Sequence, residues 1–185
     1  MSDVLARATT ELERVVGQLD ADDWERPTPS EVCVRELVEH VVQGNLFAER
    51  LLAGASAEEA LSGLNGDLLA DDALAAIQGS GMRQLAAFAG AERSRPLHHP
   101  SGDVDLPTFL RFRAGDVLIH AWDIAHAAGL DERLDPDAVA GLWQLVEPHV
   151  EEMRSSGAYG EGASAELPAD VPLQTRLLDA FGRRP

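Results

Sequence analysis

The stretch DVLIHAWDIAH, residues 116–126, decides how the rest of this chain is interpreted. It carries a carboxylate and an imidazole four residues apart, Asp116 and His120, in a run that is otherwise largely apolar. On an α-helix, residues i and i+4 stack on one face. Burying two such groups in an apolar surface costs on the order of several kcal/mol unless a partner satisfies them. That partner is either a bound metal ion or a hydrogen bond or ion pair within the fold.

Apolar residues recur at helical spacing on both sides of this stretch, which predicts four or five antiparallel helices. The helix that contains it has few charged residues, so it belongs in the middle of a bundle. Pro107 in its first turn and Gly129 after its last turn mark its ends. The predicted helices cover residues 3–19, 33–54, 73–89, 106–128 and 135–154, with a last short helix over 173–181.

The helical pattern indicates an all-α, up-and-down four-helix bundle with an additional C-terminal helical segment. We expect a single domain over residues 1–185. The proline-rich segment RSRPLHHPSGDVDLP, residues 93–107, allows a short extended segment and no more. Residues 155–171 are rich in Gly, Ser and Pro and are expected to form a wrapping loop.

The charge balance restricts the partners of the protein. Its 15 basic and 32 acidic side chains give a formal net charge of −17, which argues against binding to nucleic acid or to anionic membranes. No transmembrane run or signal peptide is apparent, and the single cysteine, Cys33, cannot form an internal disulfide. We therefore expect a cytoplasmic protein. A monomer and a two-fold homodimer are both compatible with this pattern.

A third polar side chain, His40, lies between Leu37 and Val41 in the apolar stripe of the helix predicted over residues 33–54. Helix bundles build their sites from inward side chains on facing helices. With Asp116 and His120, His40 makes a set of two imidazoles and one carboxylate. Such a set binds a divalent metal and leaves a position open to water or substrate. Zinc is favoured, with Ni²⁺ and Fe²⁺ as alternatives.

Each of these residues also has an ordinary structural interpretation. A lone histidine in an apolar stripe is more often a satisfied core residue, and Asp-x-x-x-His is often an intrahelical pair. Asp123, less than one turn beyond His120, either accepts a hydrogen bond that orients His120 or pairs with Arg113. A metal-free cluster of hydrogen-bonded core residues therefore stays open as a third hypothesis, after a metalloenzyme and a metal-binding module.

Other polar residues are weaker candidates. His98 and His99 lie in the proline-rich segment, where paired histidines are usually solvated. Trp122 and Cys33 are expected to pack. The sequence has no G-x-S-x-G or Walker motif and no usable Ser–His arrangement. A general base is not identifiable from the sequence.

Five segments of the chain, taken in order, resemble a widespread bacterial family. This family is similar to the N-terminal metal-binding domain of mycothiol-dependent maleylpyruvate isomerase, within the DinB-like four-helix superfamily. The segments are PTPSEVCVRELVEHVV (27–42), GDLLADD (66–72), AGDVLIHAWDIAHAAGLDERLDP (114–136), SSGAYG (155–160) and RLLDAFGR (176–183). The resemblance covers most of the chain, from Trp24 to Arg183.

The resemblance implies a role for each predicted ligand. The family's metal histidine after V-R-x-L-V corresponds to His40, and its D-x-x-x-H pair corresponds to Asp116 and His120, although the isomerase has Glu at the position of Asp116. It further implies a divalent metal, zinc above all, whose open position receives a low-molecular-weight thiol such as mycothiol. The expected partners are that thiol and a small electrophilic substrate.

The chain also departs from the family pattern. Ser30, Val32 and Cys33 replace residues that the family often has before V-R, so the following helix loses a good N-cap. The isomerase also has a C-terminal domain that this chain is too short to hold, so isomerisation of maleylpyruvate is not implied. We expect a thiol-dependent transferase or isomerase, with a non-catalytic binding bundle as the alternative.

Overall fold

The computed structural model describes residues 2–156, 167–168 and 170–184, and these residues are mostly helical. The helix predicted over 135–154 is interrupted, and the predicted wrapping loop over 155–171 lies mainly outside the described residues. The elements are α1 (Ser2–Val16), α2 (Val34–Leu52), α3 (Ala57–Leu61), α4 (Ala73–Gly90), β1 (Leu97–His99), β2 (Gly102–Val104), α5 (Leu106–Ala128), α6 (Pro136–Val146), a 3₁₀ turn (Glu147–His149), α7 (Val150–Ser156) and α8 (Leu173–Ala180).

Helices α1, α2, α4 and α5 form the bundle, which confirms the predicted all-α, DinB-like fold class. α1 packs against α4 and α5, and α2 packs against the same two helices. The helices that follow each other in the sequence, α1 and α2, therefore occupy opposite corners. This order places α2 directly beside α5, which is what brings residues of both helices to one site.

α5 is the central helix, because its own buried residues lie on nearly every side of it and it packs against α1, α2 and α6. Asp105 is its N-cap and accepts a hydrogen bond of 2.9 Å from the backbone N–H of Thr108. Pro107 lies in the first turn, where a missing N–H costs nothing. Gly129 ends the helix in the left-handed conformation, with φ of 69°.

A second group of helices covers one side of this bundle. α6 packs against α1, α5 and α8, so the predicted C-terminal helical segment is attached to the core. The interruption after α6 occurs at Pro148, which has no N–H for the helical hydrogen bond, and the chain makes a 3₁₀ turn there before α7. Among the described residues, no helix combines the length and the apolarity needed to cross a lipid bilayer.

The proline-rich segment before α5 is more ordered than the sequence indicates. It forms an antiparallel hairpin in which Leu97 pairs with Val104 and His99 pairs with Gly102. At the start of α2, the carboxylate of Glu36 accepts a hydrogen bond of 2.9 Å from the backbone N–H of Cys33. This contact compensates for the weak N-cap expected at that position.

Candidate metal centre

His40 on α2 meets Asp116 and His120 on α5 at the interface between the two helices. The Oδ1 atom of Asp116 lies 3.2 Å from Nε2 of His40 and 3.3 Å from Nε2 of His120. All three potential ligand atoms lie within 4.8 Å of one another. A single ion between them can therefore contact two imidazole nitrogens and one carboxylate oxygen, a donor set that suits a divalent transition metal.

The three residues border an open cavity and do not lie in the closed core. The side chain of His40 is 51% exposed, whereas those of Asp116 and His120 are 22% and 14% exposed. The expectation that His40 faces inward among apolar residues is therefore wrong, because this edge of α2 lines the cavity. His40 therefore lies at the rim of the cavity.

His120 is held between two carboxylates. Its Nδ1 atom lies 3.0 Å from Oδ2 of Asp123, and its Nε2 faces Asp116. Burial alone would lower the pKa of His120, but the charge of Asp116 and the hydrogen bonds to both carboxylates outweigh burial and raise the pKa to about 9. In a neutral imidazole only one nitrogen carries a proton. If Nδ1 donates to Asp123, the lone pair of Nε2 faces Oδ1 of Asp116, and only a proton or a cation makes that approach favourable.

Asp116 has one oxygen committed and one available. Arg113, one turn earlier on α5, donates a hydrogen bond of 2.7 Å from Nη1 to Oδ2. Burial opposes ionisation, but the charges of Arg113 and His120 overcome it and hold the pKa of Asp116 well below its usual range. Oδ1 is the oxygen that faces both imidazoles. Arg113 thus keeps Asp116 ionised and keeps its Oδ1 directed toward the two imidazoles.

A buried hydrogen-bond network fixes Arg113 in turn. Its Nε donates to Oε1 of Gln84 over 2.7 Å, and its Nη2 donates to Oδ1 of Asn45 over 2.9 Å. Gln84 also donates to Asn45, and Asn45 to Ser80, so the network joins α2, α4 and α5. The sequence signal for this network is a set of three polar residues, Asn45, Ser80 and Gln84, on the apolar faces of their helices.

Gly44 provides the space that the Arg113 guanidinium occupies. A Cβ atom at residue 44 would collide with that guanidinium. The glycine lies in the interior of α2, one helical turn after His40, where glycine is otherwise unfavourable. The close approach of Arg113 to the α2 backbone therefore depends on this residue.

Asp123 is completely buried and has several hydrogen-bond donors around it. Besides His120, it accepts from Arg183 through Nε (2.9 Å) and Nη2 (2.6 Å), and from Ser30 Oγ (2.9 Å). Burial would raise its pKa, but the hydrogen bonds from Arg183 and His120 lower it. The contact with His120 matches one of the two roles expected for Asp123. The other, a pair with Arg113, is wrong because Arg113 pairs with Asp116.

The triad opens into a cavity of about 1080 Å³. An aromatic wall contributes to its lining, and it consists of Phe47, Phe109, Phe112 and His99. The ring centroids of the three phenylalanines lie 5.7–5.9 Å from that of His99. The cavity is thus large enough for a drug-sized molecule and joins a polar triad to an aromatic surface.

His99 differs from the solvated histidine that the sequence predicts. It is half-buried, and burial, followed by the charge of Arg113, lowers its pKa. Its Nδ1 accepts a hydrogen bond of 3.2 Å from the backbone N–H of Ser101. The neutral ring therefore carries its proton on Nε2. His98 does lie exposed, 2.8 Å from Asp103, and Trp122 packs in the core as predicted.

Comparison with known proteins agrees with this architecture. Residues 5–125 match the family model of the mycothiol maleylpyruvate isomerase N-terminal domain. The chain belongs to this family. The matched part of the chain contains His40, Asp116, His120 and Asp123, whereas Arg183 lies beyond it.

Two proteins from Mycobacterium tuberculosis are similar in sequence to this chain over most of its length. They are the uncharacterized protein MT0763 of strain CDC 1551 / Oshkosh and the uncharacterized protein Rv0738 of strain ATCC 25618 / H37Rv. Each is 35% identical over 132 residues, which are 71% of this chain and 69% of the relative. No solved structure matches the chain significantly.

Proposed function

We propose that the protein binds a divalent metal, zinc above all, through Nε2 of His40, Oδ1 of Asp116 and Nε2 of His120. The observation that carries this proposal is the convergence of these three atoms within 4.8 Å. Ni²⁺ and Fe²⁺ are the alternatives that the donor set allows. Asp123 supports the proposal because a carboxylate behind a ligating histidine fixes its tautomer and orientation.

We further propose that the site activates a low-molecular-weight thiol such as mycothiol and adds or transfers it to a small electrophile. When bound, the metal would supply positive charge that lowers the pKa of the thiol. In an addition to an activated double bond, the π bond breaks, sulfur bonds to one carbon and the thiol proton ends on the other atom of that bond. In a transfer, the new carbon–sulfur bond replaces the bond to a leaving group, which departs with the thiol proton. Neither step needs a further reactant. The cytoplasm, where such thiols are kept reduced, is the expected location.

The protein's own residues then hold the reactants. Arg113 keeps Asp116 ionised, and Asp123 keeps Nδ1 of His120 protonated, so that the three ligand atoms stay in place. The aromatic wall offers apolar contact to the electrophile. Neutral His99 adds an N–H donor to that wall.

Metal content of protein purified without a His-tag tests the first step. We expect close to one zinc per chain by elemental analysis, lost in His40→Ala, Asp116→Ala and His120→Ala. His98→Ala and His126→Ala are matched controls, because these histidines pair with surface carboxylates, Asp103 and Glu132. Equal metal content in all five variants would show that the site is wrong.

Thiol consumption tests the second step. Wild-type protein, mycothiol and a panel of small electrophiles are mixed, and free thiol is followed with and without EDTA. Catalysis that EDTA abolishes and zinc restores supports the enzyme. Stoichiometric metal without thiol consumption across the panel would instead favour a binding bundle that does no chemistry.

A further inference from the structure

Arg183 connects the C-terminal tail to the back of the candidate metal centre. It donates to both oxygens of Asp123, and its Nη2 also lies 2.8 Å from Oγ of Ser30. Asp123 in turn lies against Nδ1 of His120. The chain of contacts therefore runs from the tail to a ligand nitrogen through one buried carboxylate.

We propose that Arg183 is a positioning residue for the metal site. This inference rests on the proposed function, and it assigns a role to a segment outside residues 5–125, the part of the chain that the family model matches. Arg183 acts through Asp123: it holds both carboxylate oxygens, so that Oδ2 stays on Nδ1 of His120 and Nε2 stays aimed at the metal.

The burial of Asp123 makes this support necessary. Its side chain is 0% exposed, so water does not replace a lost partner. A buried carboxylate that loses its cation is free to rotate toward another donor, and Ser30 is the donor next to it. That rotation weakens the hydrogen bond that selects the ligating nitrogen of His120.

The turn that follows α8 places the Arg183 side chain against Asp123. The backbone N–H of Arg183 donates to the carbonyl of Leu178, and that of Gly182 donates to the carbonyl of Asp179, each over 2.9 Å. With Gly182 at φ of 75°, this is a Schellman motif, which reverses the chain direction after the helix. The Nη1 atom then donates to the carbonyl of Phe181 over 2.8 Å, which fixes the guanidinium.

Phe181 anchors the same turn against α5. Its ring lies so close to Gly115 that a Cβ atom at that position would be 2.7 Å from the ring. Gly115 directly precedes Asp116, so the tail packs beside the predicted ligands. Arg183 also lines the cavity, and its side chain is only 15% exposed. The tail thus forms both the support of the site and part of its wall.

The experiment compares Arg183→Gln and Arg183→Lys with Arg184→Gln. Arg184 is a neighbour on the same tail and pairs with Asp179, so it controls for loss of charge there. Zinc affinity is measured by competition with a chromophoric chelator, Co²⁺ absorption spectra report the ligand geometry, and circular dichroism reports folding. We expect about tenfold weaker zinc binding in Arg183→Gln and no change in Arg184→Gln. Arg183→Lys should recover the affinity only in part, because the ammonium restores the charge but not the paired contacts with both oxygens of Asp123.

A second measurement separates this inference from the proposed function. NMR of ¹⁵N-labelled protein follows solvent exchange of the Nδ1 proton of His120, with or without metal. We expect slow exchange in the wild type and fast exchange in Arg183→Gln. If the wild type takes up no metal but this difference persists, the proposed metal function fails and the positioning role stands. Unchanged exchange and affinity in Arg183→Gln overturn the positioning role itself.

Discussion

Asp116 and Asp123 lie on either side of His120 on the same helix, and each pairs with an arginine, yet their surroundings differ. Asp116 borders the cavity and is 22% exposed, and Arg113 takes only its Oδ2. Asp123 is completely buried, and Arg183 and His120 between them engage both of its oxygens. Asp116 therefore keeps one oxygen available to a partner in the cavity, whereas both oxygens of Asp123 are engaged within the fold.

Burial and remaining hydrogen-bond capacity, rather than residue type, therefore distinguish the proposed ligand, Asp116, from its proposed support, Asp123. Both carboxylates are ionised and neutralised by an arginine, so their charges are closely similar. Only Asp116 presents an oxygen to His40 and to the cavity. A carboxylate with two committed oxygens orients its histidine and does not reach a metal.

Replacing Asp116 should have the largest effect on the site. Asp116→Ala removes a predicted ligand, and we expect zinc affinity to fall by at least about 100-fold, beyond the usual effect of supporting residues. Isothermal titration with zinc measures it. Asp103→Ala, which removes the partner of a surface histidine, is the matched control and should bind as the wild type does. If Asp116→Ala kept its zinc affinity, Asp116 would not be a ligand and would not differ in role from Asp123.

Asp123→Asn should weaken the site without abolishing it. The amide keeps the shape of the side chain but loses the charge that holds Arg183 and His120. We expect zinc affinity to fall by about 10–100-fold, with measurable binding left. A loss of affinity as large as that in Asp116→Ala would mean that Asp123 is itself a ligand.

The metal-free protein should lose stability as the pH rises. The folded-state pKa of His120 is about 9, above the ordinary value of 6.5. Its contribution to the free energy of unfolding is therefore fully present below pH 6.5 and is lost as the pH rises through 9. At about 1.4 kcal/mol per pKa unit, the loss is on the order of 3 kcal/mol. Urea unfolding in EDTA at several pH values, compared with His120→Gln, measures it. If the stability of His120→Gln had the same pH dependence as that of the wild type, His120 would not be the group responsible.

The network behind Arg113 gives a smaller effect. Gln84→Leu removes the acceptor of its Nε–H and leaves a buried donor unsatisfied, at a cost of about 1–3 kcal/mol in unfolding free energy. Chemical denaturation checks this value. Gln18→Leu, in which an exposed glutamine loses one backbone contact, should change stability by less than about 0.5 kcal/mol. Equal losses of unfolding free energy in the two variants would show that the hydrogen bond from Arg113 to Gln84 does not stabilise the fold.

The sequence predicted the parts of this molecule that depend on local spacing. The apolar periodicity indicated the bundle helices, and the i, i+4 relation brought Asp116 and His120 together. The i, i+3 relation likewise related Asp123 to His120. The interruption after α6 was missed, although Pro148 marks it, because the apolar pattern continues past the proline.

The parts that depend on tertiary packing were not predictable in this way. Periodicity shows which face of α2 is apolar but not that the edge at His40 borders a cavity, so its exposure was missed. The contact between Asp123 and Arg183 joins residues 60 positions apart, and no local pattern encodes it. His99 was assigned to solvent because the hairpin that carries it packs near α5 only in the complete fold.

Gly44 has a consequence for attempts to make this protein more resistant to heat. Replacing a helical glycine by alanine usually gains about 1 kcal/mol, and Gly79 in α4 has open space for the added methyl group. At Gly44 the methyl group would displace a guanidinium that Gln84, Asn45 and Asp116 hold. We expect the melting temperature to rise in Gly79→Ala and to fall in Gly44→Ala. Thermostability design should therefore treat Gly44 as part of the candidate metal site.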